Sequence, residues 1–111
     1  MDLILYRRIE EFLYNIYPRL VKYPKSETHC LCKSIKDTIY NLLKYIALGN
    51  YVKSKRKQYL QEADAYLKML KVLVKLSNRQ RYISIGLFRK YDIELTEISK
   101  MLSAYIRSTI K

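Results

Sequence analysis

The chain has 111 residues, half of them hydrophobic, and 22 Lys and Arg against 10 Asp and Glu give a formal charge of +12. This length predicts one domain over residues 1–111, and so apolar a composition excludes a basic disordered tail. No apolar run is long enough to span a membrane, and the N-terminus is a poor signal peptide. We therefore expect a cytoplasmic protein with no membrane partner, whose surplus positive charge meets an anionic partner.

The first half of the chain predicts two amphipathic helices, because apolar residues recur every three or four positions. Helix 1 should end before Tyr23-Pro24, since a residue that precedes proline avoids the α region. Ser26 is the expected N-cap of helix 2, and Gly49-Asn50 is its expected stop. The two apolar stripes are Leu5, Ile9, Phe12, Ile16 and Leu20, then Leu31, Ile35, Ile39, Leu42 and Ile46.

The second half predicts two further helices, the first beginning near Ser54. The start of helix 4 has two candidate N-caps: Ser77 opens a Ser-x-x-Gln capping box, and Ser84 is the alternative. The apolar stripe starts at Phe88, which favours Ser84 slightly. The stripes are Leu60, Ala63, Leu67, Leu70 and Val74, then Phe88, Tyr91, Leu95, Ile98, Leu102 and Tyr105. Four amphipathic helices with short links predict an all-α protein, an up-down-up-down four-helix bundle.

We find no catalytic constellation in the sequence, and we expect no metal, cofactor or small-molecule substrate. His29, Cys30 and Cys32 are too few for a closed zinc site, which needs four ligands. On a helix the two thiols would point about 200° apart, so ordinary reduced cysteines are the expected state. Glu94 and Glu97 are one turn apart, which is more typical of a solvated helix face than of an acid–base pair.

The positive charge predicts contact with nucleic acid at two places in the bundle. In an up-down bundle the cluster at 53–57 lies at one end, and the basic residues around the link between helices 3 and 4 lie at the other. The contacts should be directed at phosphates, with RNA and DNA both open, so binding should weaken with salt. Tyr51 and Tyr59 flank the first cluster and could stack on unpaired bases. The candidate contact residues are Lys53, Lys55, Arg56, Lys57, Arg79, Arg81, Arg89 and Lys90.

The apolar arcs of helices 3 and 4 are wider than one bundle core requires, since Tyr59, Tyr66, Leu73 and Leu76 flank the seam of helix 3. Exposed apolar surface of this extent marks a partner surface. A ring-shaped homo-oligomer is the simplest way to bury it on identical subunits.

Two segments resemble a known family of basic bacterial proteins. One is Tyr23-Pro24-Lys25-Ser26-Glu27 at the corner between helices 1 and 2, and the other is residues 97–106, which read Glu-Ile-Ser-Lys-Met-Leu-Ser-Ala-Tyr-Ile. Both are similar to segments of the family that contains the accessory variability determinant (Avd) proteins of diversity-generating retroelements. The same family contains proteins encoded by intervening sequences within 23S ribosomal RNA genes.

The resemblance implies a four-helix bundle that assembles as a pentameric ring and has no catalysis of its own. It implies association with a reverse transcriptase and its template RNA or cDNA during mutagenic retrohoming. For the intervening-sequence members it implies the alternative, a structural or ribosome-associated bundle. By position in the motifs, it implies that Pro24, Lys25 and Glu27 shape the corner and that Tyr105 packs at a subunit contact.

Overall fold

A computed structural model describes residues 3–109, and these form four α-helices with no strand. The helices are α1, Leu3–Leu20; α2, Leu31–Tyr51; α3, Arg56–Arg79; and α4, Ile85–Ser108. Short 3₁₀ turns at Lys25–Glu27 and Lys53–Lys55 lie in the first two links. No helix in the described range is long and apolar enough to cross a bilayer.

The core is built from the apolar stripes that the sequence predicts. Every stripe residue of α1, α2 and α3 is at most 6% exposed, which confirms the 3.6-residue periodicity as the signal of burial. In α4 the four central stripe residues are buried, whereas Phe88 and Tyr105 at its two ends are half-buried. Phe12 of α1 meets Tyr91 of α4 edge to face, with ring centroids 5.3 Å apart.

The helices are arranged so that each packs against its neighbours in the chain and α1 also packs against α4, while the diagonal pair α2 and α4 is joined by a side-chain hydrogen bond. This order is the one expected of an up-down bundle. At the end that we call the Tyr82 end, α1 and α3 finish and α2 and α4 begin. There Tyr82 donates a 2.8 Å hydrogen bond to Glu27 and packs against Tyr23.

At the opposite end, which we call the Arg56 end, α2 and α4 finish and α3 begins. Tyr105 of α4 donates a 2.7 Å hydrogen bond to the side-chain oxygen of Asn50 on α2. Arg56 reaches back from the start of α3 to the end of α2. The two predicted basic clusters therefore lie at opposite ends of a molecule 46 Å in its longest dimension.

The prediction that Ser26 caps helix 2 is wrong, because the helix begins at Leu31 and Ser26 lies inside a 3₁₀ turn. The backbone of that turn forms its own hydrogen bonds, in which the Glu27 N–H donates to the Pro24 carbonyl at 2.9 Å. The Glu27 carboxylate instead accepts from the backbone N–H of Leu31 at 3.4 Å. Glu27 thus takes the place that Ser26 was expected to hold, and the corner role implied for it agrees with these contacts.

The prediction that Gly49-Asn50 ends helix 2 is also wrong, since both residues are helical and buried and the helix continues to Tyr51. A Cβ at Gly49 would lie 2.7 Å from Cδ2 of Leu60, which is fully buried on α3. This glycine is therefore required by the close approach of α2 and α3, and not by a turn.

The start of α4 confirms Ser84 as its N-cap, because the Ser84 hydroxyl accepts from the backbone N–H of Leu87 at 3.1 Å. Ser77 belongs to α3, where its buried hydroxyl donates to the Leu73 carbonyl. The end of α3 is closed by Arg81, which has a φ of 63°, followed by a 2.9 Å bond from Tyr82 N–H to the Ser77 carbonyl. This is a Schellman motif with arginine at the left-handed position that usually holds glycine.

Candidate nucleic-acid interface

Three exposed lysines surround the start of α3 at the Arg56 end. Lys53 and Lys55 lie on the 3₁₀ turn and Lys57 lies in the first helical turn. That first turn holds no acidic residue, and no side chain caps the helix. A cation at the positive end of a helix dipole is unfavourable by about 0.3–1 kcal/mol. The lysines therefore do not stabilise α3, and together with the helix N-terminus they form a surface suited to anions.

Arg56 differs from these lysines because the fold uses its guanidinium. Nε donates to the Gly49 carbonyl at 2.7 Å and Nη2 donates to the Asn50 carbonyl at 2.9 Å. Carbonyls in the last turn of a helix have no partner within that helix. Arg56 thus caps the end of α2, and we assign it a structural role besides its contribution to the positive potential.

A cleft of about 310 Å³ separates the lysine turn from the end of α4. One wall is formed by Lys53, Arg56 and Lys57, and the other by the last residues of α4. Ser108 and Thr109 there donate 2.6 Å hydrogen bonds to carbonyls of their own helix, which closes the end of α4. The charged lining residues of the cleft therefore come from the α2–α3 link and the first turn of α3, and the α4 wall carries hydroxyl groups.

One of the two tyrosines proposed for base stacking is exposed. Tyr51, the last residue of α2, is 72% exposed and precedes Lys53 by two positions in the chain. Tyr59 is half-buried instead, and its ring lies 6.1 Å from that of Tyr45 on α2. Tyr51 is therefore accessible at the Arg56 end, whereas Tyr59 packs between two helices.

The second basic cluster lies at the Tyr82 end and is spread over a broader surface. Arg79 ends α3, Arg81 follows it, and Arg89 and Lys90 lie on the second turn of α4; all four are exposed. Arg19 and Lys22 line a shallow groove of about 250 Å³ at the end of α1. The four predicted cations are thus spread over the end of α3, the link that follows and the second turn of α4, which favours contact with an extended polyanion over recognition of one phosphate.

Two long-range hydrogen bonds were not foreseen from the sequence: the Tyr82–Glu27 bond between two links and the Tyr105–Asn50 bond between α4 and α2. A signal existed for Asn50, because this polar residue continues the buried stripe of α2 four positions after Ile46. A polar residue at a core position needs a hydrogen-bond partner. Tyr105, implied to pack at a subunit contact, makes this contact within its own chain.

The residues weighed for metal binding and catalysis do not converge in the described part of the chain, where no group of three His, Cys, Asp or Glu could hold a metal ion. Cys30 is exposed, and the buried thiol of Cys32 donates to the Leu20 carbonyl at 3.5 Å. Burial raises the pKa of the Cys32 thiol, so the thiol stays protonated. Glu97 forms an ion pair with Arg8 across α1 and α4.

The bAvd-like family model matches residues 3–109, which is the whole of the described structure. None of the curated proteins matches the chain.

Proposed function

The chain belongs to the bAvd-like family, and from this premise we propose that it is a non-enzymatic accessory protein of a diversity-generating retroelement. In this proposal it binds template RNA or cDNA and the retroelement's reverse transcriptase to support mutagenic retrohoming. The observation that carries the nucleic-acid part is the uncapped, acid-free start of α3, where three lysines and Tyr51 are exposed. The reverse-transcriptase part rests on the family.

We also propose that the protein acts as a ring-shaped homo-oligomer, with a pentamer favoured by the family resemblance. The support from the structure is a set of exposed aromatic side chains on α1 and α2. They are Tyr14, Tyr17 and Tyr40, at 64%, 45% and 46% exposed. A closed ring uses a heterologous interface, in which such a surface meets a different surface of the next subunit.

The nucleic-acid proposal is tested with a Lys53/Lys55/Lys57→Gln variant, which keeps Arg56 and so keeps the cap of α2. Binding of a single-stranded RNA and of a DNA of equal length is titrated by fluorescence anisotropy at several salt concentrations. We expect affinity to fall at least tenfold and the log–log salt slope to decrease by about 2, since each phosphate contact on a single strand contributes about 0.7.

The matched control is Lys33/Lys44/Lys68→Gln, which removes three exposed lysines from helix sides outside the cluster. It should change the affinity less than threefold. Equal affinities of the two variants would contradict the interface at the Arg56 end. Thermal unfolding of both variants shows whether either loss comes from unfolding.

The assembly and the biological setting have separate tests. Light scattering should report about five times the subunit mass of 13.4 kDa, and a monomer at micromolar concentration would contradict the ring. A reverse-transcriptase gene with a template repeat beside this gene would support the retroelement proposal. A location within a ribosomal RNA operon would support the ribosome-associated alternative instead.

A further inference from the structure

Helix α3 carries an apolar stripe on its solvent side as well as on its buried side. Met69, Val72 and Leu76 follow one another at spacings of 3 and 4, and they are 53%, 64% and 39% exposed. Residues with this spacing lie on one face of a helix. A solvated helix face is normally polar, so this stripe requires an explanation beyond the stability of the bundle.

The stripe borders a groove between α3 and α4. The groove is about 180 Å³ and is lined by Val72, Phe88, Lys71, Lys75 and Asp92. On α4, Ile85 precedes and Ile93 follows the two groove residues in sequence, and both are exposed, at 54% and 60%. Val72 and Phe88 thus bring apolar side chains of two helices into one groove, and we call this groove together with the stripe the α3–α4 face.

The segment that carries this apolar surface is rich in positive charge. No acidic residue occurs between Ala65 and Tyr91, whereas this segment holds seven Lys and Arg, and Asp92 is the acid that lines the groove. Lys68 is paired with Asp64 at 2.8 Å, whereas Lys75 lines the groove and Arg79 follows Leu76 by three positions, both as exposed cations. The apolar surface therefore lies in a basic part of the molecule, with cations in its groove and at its end.

We infer that the α3–α4 face binds an acidic amphipathic helix of a protein partner. Such a helix would place its apolar residues at i, i+3, i+4 and i+7 against the stripe and groove, and its Asp and Glu residues against the flanking cations. The inference names the chemistry of the protein partner, and it rests on the proposed function only in taking one partner to be a protein.

The α3–α4 face is both basic and apolar, and this combination favours an acidic amphipathic helix over a nucleic acid or a second copy of this chain. A nucleic acid would meet the cations but would gain little from covering aliphatic side chains, because phosphate and sugar are polar. Another subunit of the proposed ring also carries a net charge of +12, so it would bring positive charge to this basic face, which is unfavourable. An acidic helix satisfies both the charge and the apolar strip.

The test uses a synthetic fluorescent 18-residue peptide that carries Leu at heptad-like positions and Glu at the others, with a scrambled peptide of the same composition. Anisotropy titrations compare the parent protein with Val72→Gln, which polarises the centre of the stripe at an exposed site. Val21→Gln is the matched control, since Val21 is 82% exposed beyond the end of α1.

We expect Val72→Gln to weaken peptide binding about tenfold, Val21→Gln to change it less than twofold, and the scrambled peptide to bind at least tenfold more weakly than the amphipathic one. Equal binding of the two peptides, or of the two variants, would overturn the inference. A lower oligomeric mass of Val72→Gln would overturn it in favour of a second copy. Val72-dependent binding to phosphatidylserine vesicles without peptide binding would overturn it in favour of a lipid surface.

The same variant separates this inference from the proposed function. Val72→Gln keeps every charge of the chain, so its affinity for RNA should equal that of the parent. Loss of RNA binding in the lysine variant together with loss of peptide binding in Val72→Gln supports two distinct surfaces. If the protein binds the peptide but does not bind nucleic acid, the nucleic-acid proposal is contradicted and the inference about the α3–α4 face is supported.

Discussion

The two ends of the bundle are both basic, but they are held together by different chemistry. At the Arg56 end a guanidinium caps the end of α2, and the buried Asn50 side chain accepts from Tyr105. At the Tyr82 end the links are joined by a phenol that donates to the Glu27 carboxylate and by packed tyrosine rings. One end therefore uses a guanidinium to cap a helix, whereas the other joins its two links through a phenol, a carboxylate and packed rings.

This difference shows that neighbouring cations can have different roles, which are distinguished by the groups that each cation contacts. Arg56 lies between Lys55 and Lys57 in the sequence, yet it alone is half-buried and bonded to backbone carbonyls. Net charge alone does not separate a cation that the fold requires from one that is available to a partner. Substitutions at the two ends can make the separation measurable.

The largest effect on stability is expected for Arg56→Lys. Lysine keeps the charge but cannot donate to two carbonyls in the forked geometry of a guanidinium, so the free energy of unfolding should fall by about 1–2 kcal/mol. Nucleic-acid affinity should change less than threefold, because the potential at this end is retained. Urea unfolding and anisotropy titrations measure the two quantities.

Lys57→Ala provides the reciprocal control at the neighbouring exposed position. It should leave the free energy of unfolding within about 0.5 kcal/mol of the parent and weaken nucleic-acid binding. If Arg56→Lys unfolds at the same urea concentration as the parent, Arg56 is not needed as the cap, and the contrast between the ends is lost.

A smaller effect of opposite sign is expected at the Tyr82 end for Arg81→Gly. Arg81 has a φ of 63°, a conformation that costs a residue with a Cβ roughly 1–2 kcal/mol. Glycine avoids this cost, but its greater conformational freedom in the unfolded chain offsets part of the gain in stability. We expect the free energy of unfolding to rise by about 0.5–1 kcal/mol while nucleic-acid binding weakens. A position that is strained and yet keeps arginine is consistent with a functional side chain.

Arg79→Ala is the comparison for Arg81→Gly, because it removes the same charge from the exposed last residue of α3, where the backbone is helical. It should weaken nucleic-acid binding without raising stability. A drop in stability for Arg81→Gly would show that the arginine side chain, and not the turn, dominates at this position.

The sequence predicted the core better than the helix ends, and the reason is physical. Each stripe repeats the same signal over five positions, so a helix such as α3 is defined by many residues at once. A helix end depends instead on one or two contacts. Glu27 takes the place of Ser26 because the chain forms a 3₁₀ turn before Leu31, and Gly49 is fixed by Leu60, a residue from another helix. Single contacts of this kind have no periodic signal in the sequence.

The candidate site was predictable in its location and not in its detail. Short links between antiparallel helices fix which cations share an end, and this placed the 53–57 cluster opposite the cluster at Arg79 and Arg81. The same reasoning could not separate Arg56 from its lysine neighbours, because its partners are backbone carbonyls. It also could not separate Tyr51 from Tyr59, whose exposure depends on packing against Tyr45.

The smallest expected effect concerns the phenol at the Tyr82 end and appears only at alkaline pH. The hydrogen bond to Glu27 raises the pKa of Tyr82 above its ordinary value, and burial raises the pKa of Tyr23 and of Tyr91. These phenols stay protonated in the folded protein at a pH where they ionise in the unfolded chain. Their contribution to stability is therefore complete below about pH 10 and is lost as the pH rises through their folded-state values.

Tyr82→Phe removes one of these phenols and should make stability less dependent on alkaline pH. Urea unfolding of the parent and the variant at pH 8 and pH 11 gives the measurement, and the parent should lose more stability over this interval. The titration of lysines is common to both proteins, so it cancels in the comparison. An identical loss in the two proteins would mean that the Tyr82–Glu27 bond does not hold the links together, and the Tyr82 end would then depend on ring packing alone.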